Sequence, residues 1–288
     1  MVYYDIFIPS YFHDENDIRY GHTIKMFKYM SYIREKLKKI DIYISFTIVG
    51  SNGYLSKNIF DECFQDEDDI YLEFKQNYKP KMNIYVLDKE KGENVKEIKN
   101  KNKEKILFNE MLDKKFYLGW MKSMKKKKDI SFLMGSNDLI SIDFFKKVKE
   151  EYNPKKNQIY GLNKDKNLCL YLNLDENLKL GMDLVNARWN LNYQGFISTH
   201  DRVEYGGGIF GLNNYKKYWR LFLKKSWNEV YLERVLRMNN FKLINVSDCF
   251  YLNIKTGNDM TEPMDNNAEI SEKLLRKVNR AFKIYNNL

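Results

Sequence analysis

No apolar run in this 288-residue chain approaches the roughly 20 residues that a membrane-crossing helix needs. Residues 2–8 are apolar but too few, and Asp5 interrupts them, so no signal-peptide pattern is present. Histidine is scarce: His13, His22 and His200 are too dispersed to suggest a histidine metal centre. The three cysteines, Cys63, Cys169 and Cys249, are odd in number and lack zinc spacing. That usage predicts free thiols in a reducing, cytoplasmic setting. A Walker loop is missing too, because no Gly-Lys-Ser/Thr follows the glycines at 206–208. The dinucleotide fingerprint is excluded as well, since strand and helix do not flank those glycines correctly. There is no internal repeat and no clean linker.

What is present is a globular composition, 43% hydrophobic with frequent aromatics. The net charge is +10, from 49 Lys+Arg against 39 Asp+Glu. Such a balance predicts attraction to phosphate-rich partners. A plainer account competes with it: lysine, asparagine, isoleucine and tyrosine are all abundant, as AT-rich coding would produce, with lysine the default solvated residue. The densest run, Lys125-Lys126-Lys127-Lys128, is expected to close a helix C-terminus, where cations suit the dipole.

Periodicity predicts a first strand over 3–9, a polar loop over 10–20 and a helix over 23–37. Ile24, Phe27, Met30, Ile33 and Leu37 make the apolar stripe of that helix. A second strand, 41–49, ends in the turn signal Gly50-Ser51-Asn52-Gly53. A third strand is expected at 83–87, then a polar, mobile loop at 88–105 and a helix at 108–124. Next come a short apolar strand, 130–134, and a helix over 141–152. Strand and helix alternating in this way signify a parallel α/β sheet. Beyond it, 158–163 and 168–174 read as two strands paired through a turn at 164–167. Helices are expected at 215–223 and 227–238, strands at 243–246 and 250–256, and a final amphipathic helix at 269–285.

The apolar strand at 130–134 stops abruptly at Gly135-Ser136-Asn137-Asp138. Ligands of open α/β sheets bind outside the carboxyl ends of strands. Asp138 there can supply a carboxylate to a hard cation held against a diphosphate, with Ser136 or Asn137 assisting. The plain alternative is a turn that caps the following helix. Three weaker constellations accompany it. Lys115 sits near a helix start, where it can meet a diphosphate as a point charge. The stretch Arg202 to Gly211 carries Gly206, Gly207 and Gly208, which allow close backbone approach to a ligand or form a sharp turn. Lys255 opens a polar loop after a strand and can close over phosphate. Glu229 and Glu233, four residues apart, share a helix face that is either a solvated surface or the source of a general base.

Taken together and in this order, these segments resemble glycosyltransferases of the GT-A fold, in particular phage and giant-virus members. The stretches that carry the likeness are Lys115-Phe116-Tyr117-Leu118-Gly119, Gly135 to Ser141, Arg202 to Gly208, and Ile254 to Thr261. The resemblance implies a single continuous α/β domain with a GT-A-like, Rossmann-type mixed sheet flanked by helices. Residues 1–152 would form its nucleotide-sugar-binding half, and 153–288 its acceptor-binding half with the C-terminal helix. It implies a hexosyltransferase using a nucleotide-sugar donor, UDP-linked, with Mn²⁺ or Mg²⁺ held by Asp138 at a DXD-like motif. Asn137 stands where the family has its first acid. Pro9, Ser10, Tyr11, Gly50, Ser51 and Asn52 would line the nucleoside. Asp201, Glu204 and Glu229 are the candidates for the base that deprotonates the acceptor hydroxyl. The acceptor is open: a glycan, a protein, or a modified base of viral DNA. Two other classes compete, a non-enzymatic basic nucleic-acid-binding protein and a nucleotidyltransferase. Lysines scattered along the sequence rather than gathered in one stripe weigh against the first.

Overall fold

A computed structural model of the chain describes residues 1–10, 16, 18–50, 54–73, 122–123, 125–126, 128–136, 138–156, 158–162, 168–173, 178–180, 188–189, 209–211, 242–255 and 271–288. The expected strand at 83–87, the polar loop at 88–105 and the helices at 215–223 and 227–238 lie outside these residues. Of the helix expected at 108–124, only Lys122 and Ser123 are described, and both are helical.

The first strand, β1 (Val2–Ser10), is buried along almost its whole length and lies in the interior of the main sheet. It pairs in parallel with β2 (Ile42–Gly50) across nine residues, from Val2 opposite Ile42 to Ser10 opposite Gly50. On its other edge it pairs in parallel with β4 (Ile130–Leu133). The helix α1 (Ile18–Lys38) links β1 to β2, and α2 (Tyr54–Cys63) links β2 to β3 (Ile70–Glu73), itself parallel to β2. After β4 come the short β5 (Asp138–Ile140), α3 (Ile142–Glu151), β6 (Gln158–Leu162), β7 (Leu168–Asn173), β8 (Arg188–Trp189) and β9 (Ile209–Gly211). The described chain then adds β10 (Lys242–Val246), β11 (Phe250–Lys255) and the last helix, α4 (Glu272–Asn286).

Two mixed sheets result. The seven-stranded one runs β10-β6-β9-β4-β1-β2-β3, and the four-stranded one β5-β11-β7-β8. In the larger sheet only β9 runs against its neighbours, so the other strands deliver their C-terminal ends to the same edge. The architecture is therefore a mixed α/β fold with a largely parallel sheet flanked by helices, as the alternating pattern predicts. Both sheets draw strands from either side of residue 152, so the two halves interleave. No helix among the described residues is long and apolar enough to cross a membrane.

The apolar stripe of α1 is buried at Phe27, Met30, Ile33 and Leu37, with Ile24 half-buried, each full burial contributing about 1.5–3 kcal/mol. The helix starts earlier than expected, at Ile18, inside the stretch read as loop. The final helix buries Leu274, Val278, Ala281, Phe282 and Tyr285, a 3.6-period stripe. Ser271 caps it by accepting a hydrogen bond from the Leu274 amide.

Two expectations are corrected. Residues 158–163 and 168–174 do form strands, but they are not partners. β6 lies between β9 and β10 in the large sheet, whereas β7 pairs with β11 and β8 in the small one. Alternation of apolar residues marks a strand without naming its neighbour, and here long-range partners outcompete the local hairpin. The second concerns the lysine run, which closes a helix at Lys125 as expected but is not all solvated. Lys126 is not solvated; its side chain is 6% exposed, and its ammonium donates to Asp5 Oδ1 at 2.6 Å and to the Phe46 carbonyl at 2.8 Å. Asp5 is fully buried and also accepts from Ser45 Oγ and Thr47 Oγ1, each at 2.8 Å. Burial pulls the Lys126 pKa below its ordinary value, against the attraction of Asp5.

A buried pair stripped of one member leaves an uncompensated charge. Lys126→Met is accordingly expected to lower the unfolding free energy by about 3–5 kcal/mol in urea titration. Adding Asp5→Asn should recover more than half of that loss. A single variant as stable as the parent would contradict the buried pair.

Candidate active site at the strand ends

The large sheet places β1 between β2 and β4, with β3 beyond β2. From β1 the chain moves outward through β2 and β3, then returns to the opposite flank of β1 as β4. The order of connection thus reverses at β1, and a crevice opens at the carboxyl ends of the strands on either side of such a reversal. Ser10 and Gly50 are register partners at that edge, and Gly50 faces Glu73 at the end of β3. β4 leaves the sheet just after the Met134 amide bonds the Phe7 carbonyl at 3.0 Å. The Gly135-to-Asp138 turn follows directly.

That turn is held internally. The Asp138 amide donates to the Gly135 carbonyl at 3.3 Å, and the Gly135 amide donates to Asp138 Oδ2 at 2.9 Å. Tyr251 Oη donates to the same carboxylate oxygen. The pairing of strands explains that contact. β5 is antiparallel to β11, with Ile140 opposite Tyr251 and Asp138 opposite Asn253. Side chains two apart share a face, so the phenol reaches diagonally from the Ile140 position to Asp138. Asp138 is 2% exposed, whereas Gly135 and Ser136 are half-buried.

Of the residues singled out from sequence, Pro9, Ser10, Gly50, Ser136 and Asp138 fall at this one edge. Lys255 ends β11, two residues beyond the Asn253 that faces Asp138, or about 7 Å of extended chain. The chain resumes after Gly208 at Ile209, which pairs with Phe132 near the end of β4. Tyr11, Ser51, Asn52, Lys115, Asn137, Asp201, Glu204, Gly207, Gly208 and Glu229 lie outside the described residues. Sequence reasoning missed Tyr251, the group that anchors the Asp138 carboxylate. It sits in a strand that reads as plain core, and only the β5–β11 pairing brings it to the site.

The Mn²⁺ or Mg²⁺ expected at Asp138 does not fit what is described. A hard cation wants several oxygen ligands. Here a single carboxylate is offered, with one oxygen already accepting two hydrogen bonds. Among the described residues no group of three or more His, Cys, Asp or Glu could hold a metal.

A separate cavity of about 310 Å³ lies at the opposite, amino-terminal ends of β1 and β2, lined by Tyr3, Tyr43, Arg34, Lys38, Asp68 and Lys128. Several of its charges are engaged: Arg34 binds Asp69 and Asp66 at 2.6 and 3.3 Å, and Lys128 binds Asp68 at 2.5 Å. This end of a parallel sheet is not where its ligands bind.

No protein-family model matches the chain, and no curated protein matches it. Among solved structures, it is similar to a protein of Desulfovibrio desulfuricans G20 assigned as a nucleotide-diphospho-sugar transferase. The two are 10% identical at a TM-score of 0.39, over 98% of this chain and 97% of that one. It is also similar to the 4-diphosphocytidyl-2C-methyl-D-erythritol synthase of Anaerococcus prevotii (9% identity, TM-score 0.42, 97% and 96% covered). A third is the inositol-1-phosphate CTP transferase of T. maritima (11% identity, TM-score 0.39, 96% and 95% covered). Likeness this loose carries no residue role or reaction across to this chain. The similarity to phage and giant-virus members therefore rests on the sequence motifs alone.

The geometry predicts unequal effects at Asp138. Asp138→Ala strands the Gly135 amide and the Tyr251 hydroxyl, at about 1–3 kcal/mol for each buried donor left unsatisfied. Asp138→Asn keeps an acceptor oxygen and should lose less than half as much in urea unfolding. Equal losses for the two variants, or none, would rule out the clamp.

Proposed function

We propose that the chain is a transferase that takes a nucleotide sugar as donor and binds it at the carboxyl edge of β1, β2 and β4. The observation that supports this most is the meeting of Ser10, Gly50 and the Gly135-to-Asp138 turn at the point where strand connection reverses. The nucleoside would lie along Pro9, Ser10, Tyr11, Gly50, Ser51 and Asn52. The diphosphate would meet the Gly135-to-Asp138 turn, with Asn137 beside the ribose or sugar and Gly207 and Gly208 allowing close approach.

Glycosyl transfer is the finer reading, after the GT-A resemblance. The acceptor hydroxyl oxygen bonds to the anomeric carbon while the bond from that carbon to the diphosphate oxygen breaks. For an inverting reaction the hydroxyl proton passes to a carboxylate, for which Asp201, Glu204 and Glu229 remain the candidates. Charge grows on the departing nucleoside diphosphate and must be met by fixed cations, the role proposed for Lys115 and Lys255. A bound divalent ion would supply the same neutralisation, but no step is assigned to it. In this reading Asp138 shapes the turn that faces the diphosphate.

Thermal unfolding with a panel of nucleotide sugars, each with and without Mn²⁺, tests the proposal. One nucleotide class should stabilise the protein, by about 2.7 kcal/mol at a hundredfold excess over its Kd. Release of a nucleoside diphosphate on turnover would identify glycosyl transfer, and release of pyrophosphate nucleotidyl transfer. In Asp138→Asn, loss of the Mn²⁺-dependent part of the response would give Asp138 a metal, whereas retention would leave it a clamp. A panel without any stabilising member would sink the nucleotide-sugar reading.

A further inference from the structure

Eleven of the 49 Lys and Arg lie on two helices that pack against each other. In α1 there are six Lys and Arg against one Glu, and in α4 five against one Glu. These two helices therefore carry +9 of the chain's +10. They run side by side in opposite directions. His22 near the start of α1 contacts Tyr285 near the end of α4, and Lys25 packs over the same tyrosine ring. Arg34 is the exception in α1, buried against Asp69 and Asp66.

Between α1, α3 and α4 lies a groove of about 360 Å³ whose lining includes Tyr29, Tyr32, Lys36, Lys146, Lys277 and Arg280. Among the described residues one acid lines it, Asp143, which pairs with Lys277 at 2.6 Å and Lys146 at 3.6 Å. Lys36 and Arg280 are exposed, and neither has an acidic partner among the described residues. Lys149 adds a cation at the Ile40 end, where its ammonium donates to the Ile40 carbonyl. The groove is concave, and its lining mixes these cations with apolar side chains such as Ile33, Ile142 and Ile284. Ile40 is the only exposed large apolar residue described along it, too little to enter a bilayer.

We propose that this groove is a binding surface for single-stranded nucleic acid, with Lys36, held over the Tyr32 ring, and Arg280 contacting backbone phosphates. A cationic groove that follows the backbone beside aromatic rings suits such a strand. Charge complementarity favours this partner, and the concavity separates it from a flat anionic membrane. The surface is distinct from the strand-end pocket: β5 separates Asp138 from Ser141 at the groove's edge by about 10 Å of extended chain. Binding here needs no nucleotide sugar.

The test is fluorescence anisotropy of a labelled single-stranded DNA oligonucleotide across a salt series, with the intact chain and no donor. Lys36→Glu/Arg280→Glu should weaken binding at least tenfold. It should also flatten the dependence of log K on log salt by about 0.7 for each phosphate that is no longer neutralised. Lys122→Glu/Lys155→Glu makes the same change in net charge at exposed sites away from the groove, and should alter affinity less than threefold. Thermal unfolding checks that both variants fold. If the groove pair does not, the milder Lys36→Gln/Arg280→Gln replaces it, with the weakening expected to persist. Equal weakening by both charge reversals would assign the binding to net charge alone and overturn the proposal. So would failure of the parent to bind, or binding to anionic phospholipid vesicles without binding to the oligonucleotide.

Discussion

The buried ion pair between Asp5 and Lys126 is the interaction on which the placement of the strand ends depends. Asp5 lies near the middle of β1, a buried interior strand, where a lone carboxylate would be costly. Ser45 and Thr47 from β2 and Lys126 from the segment preceding β4 all converge on it. The pair therefore ties the chain just before β4 to the two strands already formed. Asp129 adds a second tie, accepting from the Tyr3 amide at 2.8 Å and from the Tyr152 hydroxyl at 2.9 Å. With its start held against the start of β1, β4 has one register available to it. Its far end then has to emerge beside Phe7, and the Gly135-to-Asp138 turn beside the end of β1.

Past that point the small sheet takes control. Asp138 is the first residue of β5, and its carboxylate is engaged by the turn on one side and by Tyr251 on the other. The carboxylate expected to meet a cation holds the backbone of the turn in shape. Gly135 and Ser136 remain partly open while Asp138 stays buried, which suits the proposed contact of this turn with a diphosphate. A preorganised backbone is worth more at such a site than a mobile carboxylate would be.

The elements with strong periodicity were legible in advance. β1, β2, β4, α3, β10, β11 and α4 fall within a few residues of their predicted spans, since a continuous apolar run or a 3.6-residue stripe needs no tertiary information. Short elements were not. β3 covers four residues and β5 three, too few for any period to show, and β5 hid inside the polar motif itself. Partnership was illegible as well: neither the separation of β6 from β7 nor the Tyr251 contact has a local signal. Lys126 looked like one of four equivalent lysines because burial depends on what packs around a residue. The same blindness hid that antiparallel packing brings the 11 Lys and Arg of α1 and α4 together.

The central claim is that the carboxyl edge of β1, β2 and β4 is the donor pocket. Its most direct test is an amide-resolved NMR titration with nucleotide sugars. The account predicts saturable shifts at Ser10, Gly50, Gly135 and Ser136, with the amides of Tyr3, Tyr43 and Lys128 at the far end of the strands unmoved. Shifts confined to that far end, with the carboxyl edge silent, would contradict it.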